Sequence, residues 1–247
     1  MKILQNIWAA WGVLVFICLM FVILPIFIVG IAIWGSRAIQ KVHFASRIWA
    51  RGIFLLIGIV PKNVGSFKPD KTKSHVLISN HQSALDIPLC AIVSALPFRF
   101  LSKAELAKIP VLGWIIKNIY LTVDRANLKA RQESFEKMKH ALNEGSSLFI
   151  YPEGTRNRKM IGTTKFFDGA FKLAISSKKP LGILVIGNAN ELCPPTGFHL
   201  KPGVLVYEWI ESIDTSAYEL EDLEKLKLLA KTNIEDSLQR LKNGAKA

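Results

Sequence analysis

Asn80 to Pro88 reads NHQSALDIP and lies between two apolar runs, HVLIS at 75–79 and IPLCAIVSAL at 87–96. The first run is short and β-branched at Val76 and Ile78, which suits a buried strand. Pro88 suits the first turn of a helix, where a missing N–H costs nothing, so a helix is expected to begin near Ile87. A strand that runs through a loop into a helix puts that loop at the carboxyl end of the strand. Open α/β sheets bind their ligands there. The loop holds His81, with Asp86 five positions on. On one continuous helix that spacing would splay the two side chains by about 140°. In a loop turning into a helix they can meet. A carboxylate on one imidazole nitrogen fixes the tautomer and leaves the other nitrogen as a base. This is two thirds of a catalytic triad without its nucleophile, so the nucleophile is expected to arrive on the substrate.

Outward from this loop, strand and helix patterns alternate, which argues an α/β domain. Strands are expected at His75–Ser79, Phe98–Ser102, Ile119–Val123, Leu148–Tyr151, Leu181–Ile186 and Val204–Ile210. The clearest helix runs from Asn127 to Asn143, with Leu128, Phe135, Met138 and Leu142 apolar and Gly145 just past its end. The tail from Ala217 to Lys242 is amphipathic and reads as a helix docked on the sheet. It holds too few heptads for a coiled coil. The stretch IPVLGWII at 109–116 fits either core or a lipid-facing lip formed by Pro110, Leu112 and Trp114.

Towards the amino terminus the chemistry changes. Ile7 to Gly35 carries no charge, and no acidic residue precedes Asp70, whereas Lys2, Arg37, Lys41, Arg47, Arg51, Lys62 and Lys68 all do. An uncharged helical run of that length exceeds the roughly 30 Å hydrocarbon core of a bilayer. Trp8, Trp11 and Trp34 sit near its ends, as interfacial anchors do. Two geometries fit: a single span, or a helical hairpin bent near Pro25 or Gly35 and dipping into one leaflet. Basic residues after the run place the following part on the cytoplasmic face, which in a bacterium is that of the inner membrane. Ile48 to Val60 is short for a span and reads as an interfacial helix. The expected organisation is therefore membrane-anchoring helices over 1–60, a turn-rich linker over 61–74, and an α/β domain over 75–247. That domain is a mixed sheet flanked by helices and closed by the amphipathic tail.

Half of the residues are hydrophobic, yet the formal net charge is +13. The positive charge flanks apolar runs, which points to anionic lipid headgroups; no nucleic-acid-reading motif accompanies it. Cys18, Cys90 and Cys193 are scattered in apolar runs and read as small buried hydrophobes of a reducing compartment. The histidines have no Cys/His cluster around them, so no metal is expected.

Three expected strand ends carry a cation: Lys103 in SKAE, Arg125 after Asp124, and Arg156 in LFIYPEGTR. Arg holds a phosphate bidentately and Lys acts as a point charge. Gly154 would let backbone approach the anion, with Thr155 beside it. Glu153 has two readings. It could pair with a cation or a backbone N–H and shape the turn, or it could bind a substrate hydroxyl. The first is favoured, since a carboxylate repels a phosphate.

With these motifs in order, the chain from about Val76 to Val206 resembles the glycerolipid acyltransferase family, and within it the 1-acyl-sn-glycerol-3-phosphate acyltransferases. NHQSALD looks like the family's first block, SKAEL to VDR its second, and YPEGTR its third. The resemblance implies transfer of an acyl group from a thioester of coenzyme A or acyl carrier protein to the free hydroxyl of lysophosphatidate, with no further cofactor. It makes His81 the general base and Asp86 its orienter. Lys103, Arg125, Glu153, Gly154, Thr155 and Arg156 become the acceptor-binding set. Donors for the oxyanion are expected among backbone N–H groups at the helix start after His81. One departure stands out: the fourth block, PLGILVIGN, has Ile183 where the family usually has proline, which bears on acyl-chain or acceptor preference. Two rival readings remain. One is a non-catalytic lipid-binding protein; the other is an acyl-enzyme mechanism on Ser83 or Cys90, although the chain has no G-x-S-x-G elbow.

Overall fold

The computed structural model describes residues 2–109, 112–123, 128–159 and 162–244, leaving aside the side chains at 36–37, 103–104, 112, 123, 128 and 244. Seven strands form one mixed sheet in the order β1-β7-β6-β2-β5-β3-β4. They are β1 (Ile59–Asn63), β2 (Val76–Ser79), β3 (Phe98–Lys103), β4 (Leu121–Val123), β5 (Ser147–Ile150), β6 (Leu181–Ile186) and β7 (Gly203–Ile213). The central strands β6, β2, β5 and β3 run parallel, as does β4, while β7 is antiparallel to β6 and carries β1 parallel to itself.

Period-2 alternation sorts the side chains between two cores. Leu77, Phe149, Leu184 and Ile186 face one side, where they meet Phe54 and Leu89. Val76, Ile78, Leu148, Ile150, Ile183 and Val185 face the other, where they meet Met138, Phe171 and Leu226. Strands covered on both faces read as continuous apolar runs, and β6 (LGILVI) is buried at every position. The first layer comprises α1 (Lys2–Trp34), α2 (Ile39–Leu56), α3 (Asp86–Val93) and α4 (Leu112–Ile119). The second comprises α5 (Leu128–Asn143), α6 (Gly169–Ser177) and α8 (Leu223–Gly244), while the short α7 (Ala189–Leu192) packs in the first core. Gly145, at φ +87°, ends α5 as the tail of that helix requires.

One expectation needs correction. The stretch 61–74 is not all linker, because Pro61, Lys62 and Asn63 pair with Leu205, Val206 and Tyr207 as the edge strand β1. Proline is tolerated at a sheet edge, where its missing N–H breaks no ladder. Ile183, the departure in the fourth block, is fully buried on the α5–α6–α8 side of the sheet. His81 leaves the sheet from β2, and the layer over that loop is α3. The Ile183 side chain therefore packs core and does not face the His81 loop.

The apolar amino-terminal run folds as the hairpin of the two expected geometries. Pro25 sits inside α1 without ending it. The chain reverses at Gly35, whose φ of +52° opens the turn Gly35–Ala38. α2 then returns along α1, and Phe16 meets Trp49 edge to face at 5.3 Å. The start of α1 is fastened to the α/β layer: Leu200 N–H donates to Gln5 O at 3.3 Å. Trp8 Nε1–H donates to Ile57 O at 3.0 Å, and Trp11 Nε1–H to Leu56 O at 2.9 Å. These indoles therefore satisfy orphan carbonyls at the end of α2, in place of the headgroup contact expected of them. The far end of α1 packs Ile23 and Phe27 against Val42 of α2 and Ile115 and Ile119 of α4. So the stretch 109–116 is core at Ile115 and Ile116, while Trp114 faces out and Pro110 lies outside the described residues. α1 is thus held to the domain at both of its ends. Its outer face is exposed and apolar, with Val13, Ile17, Phe21, Ile28 and Val29 continued by Phe44 and Ile48 of α2.

Where α2 crosses α3, His43 is buried and its Nε2 lies 3.2 Å from Ser94 O, so Nε2 carries the proton. Burial lowers its pKa to about 4. An unfolded chain takes up this proton near pH 6.5 and the folded one only near pH 4. The folded state therefore loses stability as pH falls through that window. The expected loss is up to about 3 kcal/mol. Denaturant unfolding in detergent between pH 7 and 4 checks this, with His43→Gln expected to lose clearly less over the same range.

Candidate active site

β2 ends at Ser79, and Asn80 turns the chain out of the sheet. The Asn80 side chain donates to Ile186 O at 2.8 Å and accepts Ile186 N–H at 2.9 Å, stitching the loop to the end of β6. His81 follows at the carboxyl end of the central strand. Asp86 opens α3 and is fully buried. Its Oδ2 lies 2.8 Å from His81 Nδ1 and also accepts the N–H groups of Gln82 at 2.7 Å and Ser83 at 2.8 Å. A carboxylate oxygen already taking two backbone donors accepts from the imidazole too. Nδ1 therefore bears the hydrogen, and Nε2 keeps a free lone pair. The His81 side chain is 14 % exposed, so that lone pair sits in a sheltered site with an opening.

The loop after β5 completes the site. Gly154 N–H donates to Tyr151 O at 3.0 Å and closes a turn with φ +69° at Gly154, a conformation that costs glycine little. Glu153 is 3 % exposed. Its Oε1 accepts His81 N–H at 2.9 Å, and its Oε2 accepts both N–H and Oγ1–H of Thr164, at 2.9 and 2.8 Å. Both oxygens are thereby used within the protein. Glu153 locks the His81 backbone to the 162–164 segment, so it is a positioning residue and not the acceptor ligand it was grouped with. A second tie has Asn157 N–H donating to His81 O at 2.7 Å. Between these ties Thr155 and Arg156 are exposed, and Arg156 makes no ion pair among the described residues. The Arg156 charge also lies near the Cys193 thiol beside Ser83.

Of the other expected ligands, Lys103 ends β3, with its side chain outside the described residues, and Arg125 lies outside them altogether. Several of the backbone N–H groups around the helix start, where oxyanion donors were expected, are engaged within the protein. The N–H groups of Gln82 and Ser83 go to Asp86, and that of Leu85 goes to Ser83 Oγ at 3.2 Å. The acyl-enzyme alternative also loses its nucleophiles. Ser83 is buried and its hydroxyl donates to Cys193 O at 2.7 Å. Cys90 is fully buried, and its surroundings push the thiol well above its ordinary pKa, against the thiolate a nucleophile needs. Among the described residues no three His, Cys, Asp or Glu side chains gather as metal ligands.

Sequence reasoning missed one contact of the His81 ring. The Tyr151 ring stacks on the His81 imidazole with centroids 4.0 Å apart and planes 15° from parallel. The signal was present only as an aromatic residue before the PEGTR turn.

Residues 62–187 match the family model described as Acyltransferase. The chain is 30% identical over 188 residues to the 1-acyl-sn-glycerol-3-phosphate acyltransferase of Saccharomyces cerevisiae, covering 72% of this chain and 60% of that protein. It is 27% identical over 181 residues to the Escherichia coli protein of the same name, covering 70% and 72% respectively. The match to a Chlamydomonas reinhardtii relative spans 48% of that protein, so the chain covers about half to two thirds of several of the proteins it matches. The crystal structure of the 1-acyl-sn-glycerophosphate acyltransferase PlsC from Thermotoga maritima has the same fold, with a TM-score of 0.78 at 23% identity over 98% of this chain and 96% of that one. With a family match across the strand ends that carry His81, Asp86 and Glu153, the chain belongs to the acyltransferase family.

Proposed function

We propose that this protein moves a fatty acyl group from a thioester to the free sn-2 hydroxyl of lysophosphatidate, giving phosphatidate. The observation that carries the reading is an imidazole held by a buried carboxylate, with no free nucleophile of the protein's own beside it among the described residues. His81 Nε2 takes the proton of the acceptor hydroxyl as its oxygen attacks the thioester carbonyl carbon. The tetrahedral intermediate then collapses, the C–S bond breaks, and the imidazolium returns the proton to the departing thiolate. A positioned base supplies about 10²–10⁴-fold. Holding hydroxyl and thioester together supplies more. The donor is a thioester of coenzyme A or of acyl carrier protein.

Arg156 is exposed beside the base and, with Lys103 and Arg125, would hold the acceptor's phosphate. The apolar outer face of α1 and α2 would lie in one leaflet, where the lysolipid resides, with the basic residues meeting anionic headgroups on the cytoplasmic side. The test is an acceptor panel with purified protein in detergent. Lysophosphatidate, glycerol 3-phosphate and lysophosphatidylcholine are offered with each donor, and products are read by mass spectrometry. Lysophosphatidate is expected to dominate. A preference for lysophosphatidylcholine would replace the proposed acceptor with another lysophospholipid, and binding without turnover of any acceptor would favour a non-catalytic lipid binder. Arg156→Ala is expected to raise KM for lysophosphatidate by about tenfold to a hundredfold, the worth of a charge-assisted hydrogen bond, with KM for the thioester unchanged.

A further inference from the structure

We propose that Tyr151 is a positioning residue for the base, a platform that fixes the plane of the His81 imidazole. The inference rests on His81 acting as that base. A single hydrogen bond from Nδ1 to Asp86 Oδ2 holds one edge of the ring but leaves it free to swing about the Nδ1···Oδ2 line. Rotation of that kind would carry Nε2 off the acceptor hydroxyl. The face of Tyr151, 4.0 Å from the imidazole centroid and within 15° of parallel, removes this freedom.

The platform is itself braced. Tyr151 Oη lies 3.3 Å from Cys90 Sγ. Cys90 is four residues after Asp86 on α3, so it shares that helix's inward face with the carboxylate. One helix therefore touches both the edge of the imidazole, through Asp86, and the ring stacked on it, through Cys90. Phe100 runs parallel to the Tyr151 ring at 6.3 Å, and Phe149 tilts against it at 5.5 Å, so the phenol cannot slide away. Burial holds the Tyr151 phenol and the Cys90 thiol well above their ordinary pKa values, which keeps both neutral and out of proton transfer. When Nε2 takes the acceptor's proton, the imidazolium lies over the electron-rich face of a phenol, an arrangement that favours the charged ring. Tyr151 thus acts through His81 and leaves substrate binding to other groups.

The experiment compares Tyr151→Phe and Tyr151→Leu in purified protein, with His81→Asn as the reference for a lost base. The phenylalanine variant keeps the stack and is expected to stay within about threefold of the parent in kcat. The leucine variant loses it and is expected to fall by about tenfold or more, the scale of a desolvated cation–π contact. Neither is expected to change KM for acceptor or thioester, which a general loosening of the site would raise. A leucine variant with parental kcat, or a phenylalanine variant as impaired as leucine, overturns the proposal while parental turnover and an inert His81→Asn leave the reaction itself standing. Should the leucine protein not fold, histidine proton NMR decides. Parent and Tyr151→Phe should show His81 ring protons shifted upfield by a facing ring, assigned by their loss in His81→Asn. Their appearance at ordinary shifts in the parent also overturns the platform.

Discussion

His81→Ala is expected to lower acyl transfer to lysophosphatidate by about 10³-fold or more, the combined scale of a lost general base and a broken dyad. The protein should remain folded. With the imidazole gone, Asp86 Oδ2 still accepts the N–H groups of Gln82 and Ser83, and the His81 backbone keeps its ties to Glu153 and Asn157. The variant should therefore elute and melt like the parent and still bind vesicles through α1 and α2, while phosphatidate formation falls to the limit of detection. Residual turnover from holding the two substrates together sets the floor. A folded alanine variant that turns over within tenfold of the parent would remove His81 from the chemistry, and with it the reading of the substrate hydroxyl as the nucleophile.

Where the chain is buried on both faces, pattern and structure coincide. LGILVI at 181–186 has no polar residue to confuse the reading, and the strand occupies those bounds. β1 escaped because its residues are those of an edge. Pro61, Lys62 and Asn63 resemble a turn, and their partner in β7 is some 140 residues further along the chain. Pairing at that distance leaves no local trace. The same holds within the site. His81 and Asp86 are legible because they lie only five positions apart. The two contacts that orient the imidazole and its backbone, from Tyr151 and Glu153, come from a loop about 70 residues away. A motif such as YPEGTR says that this loop matters but not which side chain faces the base. Glu153 illustrates the gap. Its charge suggested a ligand or a partner, and only its burial under Thr164 decides for the partner. The hairpin in place of a single span was hidden for a related reason. Hydropathy reports that Lys2–Trp34 can cross a bilayer, but the hydrogen bonds of Gln5, Trp8 and Trp11 to the domain determine that it folds back.

The second large effect is expected at Asp86. Asp86→Asn keeps the shape of the side chain, and the amide oxygen can take the place of Oδ2 toward Gln82 and Ser83 N–H. What it removes is negative charge against Nδ1. The amide oxygen at that place still accepts Nδ1–H, but a neutral group no longer stabilises the imidazolium, so kcat should fall by about 10²-fold or more with KM for lysophosphatidate nearly unchanged. The amide NH₂ must also enter the place of Oδ1, a buried atom with no hydrogen-bond partner, which should cost about 1–3 kcal/mol of stability. Asp86→Ala is expected to be worse in stability, because it leaves two buried N–H groups without an acceptor. The pair of variants separates folding from chemistry, and a double variant separates the two roles of the dyad. If Asp86 acts only through the imidazole, His81→Ala combined with Asp86→Asn should turn over no more slowly than His81→Ala alone, since groups that work as a unit are not additive. A further drop as large as that of Asp86→Asn by itself would mean that the carboxylate serves the reaction by another route, as the anchor of the loop at the end of β2 or as a contact of the acceptor.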